Sequence, residues 1–179
     1  MTPHEIKHPA QYFDFSIESI ALVLSRLPRF CGHGDGELSV AHHLVHCYKL
    51  ARILYPEDRR LHQLVLYHDV PEVFYGDIPS YVKHALGEEA LSYLGKLDRD
   101  IFSKLGIPYY GGDEKRRVKL IDTLALVREA EFVFDNFVPD DWPYPEVEVK
   151  LSFMDSGFTR SMISIQYEIE ELLKEYANV

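Results

Sequence analysis

The stretch Tyr67-His68-Asp69-Val70-Pro71-Glu72-Val73-Phe74-Tyr75-Gly76-Asp77-Ile78-Pro79-Ser80-Tyr81-Val82-Lys83 decides the reading of this chain. It begins where an apolar run, Leu64-Val65-Leu66-Tyr67, runs into a histidine and an aspartate and then a proline. Buried imidazole and carboxylate are costly unless paired or bound to a cation. Adjacent helical residues diverge by about 100°, so both side chains reach one ion only near a helix end. Val70-Pro71 supplies that end. Glu72 follows three residues after Asp69, on the same side if the chain stays helical. A carboxylate placed there, beside a metal that holds water, is suited to general acid/base work.

Outward from this stretch the periodicity is helical almost everywhere. Phe15, Ile17, Ile20, Ala21, Leu24 and Leu27 mark a first helix, with Asp14 or Ser16 as N-cap. The turn formers Cys31 to Gly36 follow. Leu38 to Ile53 predicts a second helix, stopped before Pro56, and Asp58 to His68 a third. Short helices are expected over Pro71 to Phe74 and Ser80 to Ala85. A longer one covers Glu88 to Leu105, ended by Gly106 and Pro108. Glu114 to Phe134 follows with Asp113 as N-cap, and Ser156 to Tyr176 closes the chain. Pro139 to Pro145 reads as an exposed loop, and the brief alternation Glu146 to Leu151 is too short to argue for a sheet. The expectation is one all-α domain over residues 1–179.

Composition fits this. The 179 residues are 46% hydrophobic and 27% charged, ordinary for a globular protein with a single core. No apolar run approaches the roughly 20 residues of a membrane span, and MTPHEIKHPAQYF lacks the order of a secretory signal, so a cytoplasmic protein is expected. A net charge of −10 without a basic stripe argues against a nucleic-acid polymer as partner. Cys31 and Cys47 form neither a disulfide framework nor a zinc motif.

Further polar groups sit in apolar company. Asp122 has Val118, Ile121, Ala125 and Leu126 as helical neighbours, so it points into an apolar stripe. His42 lies between Leu38 and Val45 in the same way. His43 is an obvious rival, and His42 with His46 has the i, i+4 spacing that places two imidazoles on one metal. Spacing alone leaves these three open. Histidines and aspartates together suit a divalent ion such as Zn²⁺, Mn²⁺, Co²⁺ or Fe²⁺.

The succession of His42, His68-Asp69 and Asp122 resembles the HD-domain phosphohydrolases. The run from Tyr67 to Lys83 is closely similar to the HD-x-x-E-x-x-x-GD-x-P-x-x-x-K segment of bacterial 5′-deoxynucleotidases, and Lys119-Leu120-Ile121-Asp122-Thr123-Leu124 to their last ligand helix. Small phage-encoded HD enzymes that hydrolyse dNTPs, some selective for dATP, are also similar. The resemblance covers about residues 15–135. It implies a single helical HD-domain bundle with His42, His68, Asp69 and Asp122 as metal ligands. Glu72 would then be the acid/base, helped by Asp77 beside the site as a second catalytic carboxylate. His42 is preferred because the family's ligand precedes a small or polar residue and then leucine, here His43-Leu44. Arg29-Phe30 resembles the family's Arg-aromatic pair for phosphate and sugar, with Arg26 able to replace Arg29. Lys83 offers a point charge to phosphate. Tryptophan stands in the deoxynucleotidases where this chain has Phe30.

The implied activity is metal-dependent hydrolysis of a deoxynucleotide, foremost a dNMP to deoxynucleoside and phosphate. Release of triphosphate from a dNTP is the alternative, and a module that senses nucleotide without turnover comes third. A homodimer or larger homo-oligomer is implied by the same likeness. Trp142, Tyr144 and Phe153 are candidates for a subunit contact.

Overall fold

The fold is an all-α bundle, seen in a computed structural model that describes residues 14–34, 37–135 and 161–179. Its elements are α1 (Ile17–Arg26), α2 (Val40–Leu54), α3 (Arg59–Tyr67), α4 (Glu72–Tyr75), α5 (Ser80–Ala85), α6 (Glu88–Lys104), α7 (Gly112–Val133) and α8 (Met162–Tyr176). No strand occurs among the described residues; the one bridge there, Pro28 with Ser39, is isolated.

Helix α2 is the centre of the bundle and packs against α1, α3, α7 and α8. From Val40 to Tyr48 its side chains are buried on every face, including Val40, Leu44 and Cys47 together with His42, His43 and His46. A helix surrounded on all sides has no polar stripe, so its histidines are interior groups whatever their direction. Across it, α8 is tied to α3: the Tyr67 hydroxyl donates to the Leu173 carbonyl at 2.7 Å, and Gln63 Nε2 donates to the Tyr176 carbonyl at 2.8 Å.

The helix ends follow local chemistry. Ser16 caps α1 by accepting from the Ser19 N–H at 3.3 Å, while Asp14 accepts from Ser16 itself. Asp58 caps α3, accepting from Leu61 N–H at 2.9 Å. Ser161 caps α8. Asp113, expected as the N-cap of α7, instead lies inside its first turn, with Gly111 at the cap. Its carboxylate faces forward, 3.1 Å from Arg116 and 3.0 Å from Arg117. The expected loop Pro139 to Pro145, the alternation at Glu146 to Leu151 and the aromatic contact of Trp142, Tyr144 and Phe153 lie outside the described residues.

Helix α3 stops at Tyr67, and Val70-Pro71 turns the chain into the four-residue α4. The doublet therefore sits on a corner. A second corner joins α1 to α2: Arg29 N–H donates to the Leu38 carbonyl and Val40 N–H to the Leu27 carbonyl, both at 2.9 Å. Inside it Phe30 (φ 52°) and Cys31 (φ 55°) occupy the left-handed region, which non-glycine residues rarely adopt and which stores strain at functional turns. No helix among the described residues is long and apolar enough to cross a membrane.

Candidate metal centre

His43 (α2), His68 and Asp69 (the α3–α4 corner) and Asp122 (α7) converge from distant parts of the sequence. His43 Nε2 lies 3.2 Å from Asp122 Oδ1 and 3.6 Å from Asp69 Oδ2. His68 Nε2 lies 3.3 Å from Asp69 Oδ2 and 3.9 Å from Asp122 Oδ1. Donors bound at about 2.0–2.2 Å to one ion stand at such separations.

The backbone and a carboxylate aim both imidazoles. His68 Nδ1 donates to the Val65 carbonyl at 2.9 Å, leaving the Nε2 lone pair directed inward. His43 Nδ1 lies 3.0 Å from Glu129 Oε1, the arrangement by which a carboxylate fixes the tautomer of a metal-binding histidine. His68 Nε2 is buried and has no hydrogen-bond partner. An orphaned acceptor facing two carboxylates is what a cation would satisfy, and the donor set of imidazoles and carboxylates suits a divalent ion.

His42, the expected first ligand, does not join this group. Its Nδ1 accepts from the Ser39 N–H at 3.1 Å, closing the first turn of α2 as the returning arm of a capping box. The ring is thereby turned back to the helix start, and His43, about 100° further round, meets the doublet instead. His46 is also turned elsewhere, its Nδ1 3.1 Å from Glu129 Oε1.

Cys47 stands one turn after His43, its Sγ 3.5 Å from His43 Nε2. The donor atoms of His43, Cys47 and His68 all lie within 4.8 Å of one another, a group able to hold a metal ion. Burial pushes the Cys47 thiol up to about 11, so it keeps its proton more readily than the carboxylates do. For Asp69 burial opposes ionisation, but His68 and His43 outweigh it and hold the group below its usual range. Asp122 behaves alike, burial being overcome by its contact with His43 and by the nearby His68 and Lys119. Its second oxygen takes Lys119 Nζ at 2.8 Å.

Glu72 differs from both. Burial, then repulsion from Asp69 and Asp77, raises it well above its ordinary value. Oε2 is buried without a partner, and Oε1 lies 3.5 Å from Lys83 Nζ. A carboxyl so placed is shifted toward its protonated form, as a group that gives a proton away must be. Lys83 also sits 5.8 Å above the ring of Tyr75, so α4 and α5 hold the acid and a cation together.

Arg29, not Arg26, spans the site. Its Nη1 is 3.4 Å from Asp77 Oδ2 and its Nε 3.3 Å from Glu129 Oε2. Asp77 is raised by burial, against the pull of Arg29. Phe30 packs edge-on against Phe134 at 5.3 Å. With Arg26, Arg29, His33 and Met162 it borders a cavity of about 240 Å³.

Glu129 is the functional residue that the sequence reading missed. It stands two helical turns after Asp122 among Ala125, Leu126, Phe132 and Val133, the same pattern that marked Asp122.

No family model matches the chain. It is 33% identical over 122 residues to an uncharacterized protein of Rhodobacter capsulatus, a match covering 66% of this chain and 62% of that protein. It is 35% identical over 95 residues to the uncharacterized protein YfdR of Escherichia coli K12, covering 53% of this chain and 49% of that one. The chain thus spans less than two thirds of the length of either relative.

Proposed function

We propose that the protein is a metal-dependent phosphohydrolase of the HD-domain type acting on deoxynucleotides, foremost cleaving a dNMP to deoxynucleoside and phosphate. The supporting observation is the meeting of His43, His68, Asp69 and Asp122 around the partnerless His68 Nε2, with the buried Glu72, whose carboxyl burial and acidic neighbours raise, as the acid. A sensing module would need the ligands but not that acid.

His43, His68, Asp69 and Asp122 would hold the ion. Zn²⁺, Mn²⁺, Co²⁺ and Fe²⁺ all suit this ligand set. A divalent ion there supplies charge for a phosphate oxygen and acidifies a water molecule. The remaining chemistry belongs to the chain. Arg29, anchored by Asp77 and Glu129, presents a guanidinium to the phosphate. Lys83 adds a second positive charge beside Glu72. As water adds to phosphorus and the bond to the 5′-oxygen breaks, Glu72 gives its proton to the departing oxygen. It then takes one back from the water that entered, so the carboxyl ends as it began. Asp77 keeps Arg29 in place throughout.

The test is a panel of dNMPs and dNTPs assayed with Mn²⁺, Co²⁺ or Zn²⁺, reading orthophosphate, tripolyphosphate and deoxynucleoside. Orthophosphate from dNMPs, lost in Asp69→Ala and Asp122→Ala, is the expected result. Tripolyphosphate from dNTPs would move the substrate to the triphosphates. Tight nucleotide binding without product would make the domain a sensor.

A further inference from the structure

We propose that Glu129 is a positioning residue that sets His43 and Arg29 in register, so that the metal-facing and phosphate-facing halves of the site are coupled through one buried carboxylate. The inference rests on the metal reading above. Glu129 is fully buried, and its polar contacts among the described residues are all with donors. Oε1 lies 3.0 Å from His43 Nδ1 and 3.1 Å from His46 Nδ1. Oε2 lies 3.1 Å from His43 Nδ1, receives Arg29 Nε at 3.3 Å and lies at the same distance from the second guanidinium nitrogen.

A carboxylate offers about four lone-pair positions, and these donors use them. Neither partner can therefore shift without changing the bond to the other. His43 owes its orientation to the Nδ1 bond, because donation there leaves Nε2 as the inward-facing lone pair. Arg29 is gripped at one end by Glu129 and at the other by Asp77, with only 7% of its surface exposed. The planar guanidinium fork fixes the directions of its bonds to both carboxylates, which the freely rotating donors of an ammonium do not. His46 braces the same carboxylate, its Nδ1 3.1 Å from Oε1.

A group that merely balanced buried charge would tolerate any neighbouring cation of equal charge. A positioning group would not. Arg29→Lys separates the two, because it keeps the charge and removes the fork. Co²⁺ affinity and the visible absorption of bound Co²⁺ are measured in wild type, Arg29→Lys, Glu129→Gln and the double variant. In Glu129→Gln one carboxylate oxygen becomes an NH₂ group and opposes a donor, and Co²⁺ affinity is expected to fall about 10–100-fold. Arg29→Lys, which touches no ligand atom of the ion, is expected to weaken Co²⁺ binding and alter its spectrum in the wild-type background. It should add nothing further once Glu129 is glutamine. Wild-type Co²⁺ affinity and spectrum in Arg29→Lys, or additive losses in the double variant, would overturn the coupling. If Glu129→Gln does not fold, Arg29→Lys alone decides by the same spectrum. A wild-type protein that takes up no Co²⁺ overturns the metal reading together with this inference; uptake unaffected by either variant overturns this inference alone.

Discussion

The Ser39 backbone N–H donates to His42 Nδ1 at 3.1 Å, and this bond decides which histidine of α2 meets the His68-Asp69 doublet. An N3 side chain that returns to the N-cap is committed to the helix start. His43 is left to face Asp122 at 3.2 Å.

The two histidines should therefore fail in different ways. His43→Asn is expected to abolish metal uptake and activity with a folded bundle, because a ligand is lost at the centre. His42→Ala should keep both metal and activity while losing about 0.5–2 kcal/mol of stability as a broken cap. His42→Gln, which can also reach back from N3, should recover part of that loss. Metal analysis and thermal melts of the three variants check this.

Glu72 makes stability depend on pH. Its folded value is raised well above the ordinary 4.5, by burial first and then by Asp69 and Asp77. The folded chain therefore holds a proton that the unfolded chain releases. Its contribution is fully present below the ordinary value and is lost as pH rises through the raised one. Metal-free Glu72→Gln should thus gain stability relative to wild type as pH increases from 5 to 8. A gap that stays constant across that range would remove the raised acid from the account.

Glu72→Gln should also lose turnover while retaining metal and substrate binding, since a positioned acid contributes typically 10²–10⁴-fold. The loss should appear in kcat, with KM little changed.

Arg29→Ala removes a charge donor from the phosphate and leaves Glu129 and Asp77 without their shared cation. By analogy with other sites that stabilise developing charge, kcat/KM should fall about 10²–10³-fold. Steady-state kinetics on the best dNMP of the panel measures it.

Away from the site, Tyr67→Phe should cost about 1 kcal/mol, the worth of the bond to the Leu173 carbonyl that ties α8 to α3. Its kinetics should match wild type. An equal loss of activity would mean that the site depends on α8 docking.

The limits of sequence reading fall at particular residues. Helix α1, the span of α3, the corner after Tyr67 and the α5 span were legible because periodicity and breakers agree there. His68, Asp69 and Asp122 stood out as polar groups on apolar stripes. Helix α2 defeated that logic: with every face buried from Val40 to Tyr48, no stripe distinguishes His42 from His43, and the cap bond that separates them is a three-dimensional fact. Glu129 carried the same stripe signal as Asp122, but its partners Arg29 and His43 lie far away in sequence, 100 and 86 residues respectively. The placing of Asp113 at the N-cap of α7 overlooked its arginine partners one turn ahead.

The most direct measurement is anomalous diffraction from crystals grown with Mn²⁺, Co²⁺ or Zn²⁺. The account predicts one peak at about 2.0–2.2 Å from His43 Nε2, His68 Nε2 and an oxygen each of Asp69 and Asp122, with His42 still bonded to Ser39. A peak ligated by His42, or no peak among these four side chains at saturating metal, would contradict it.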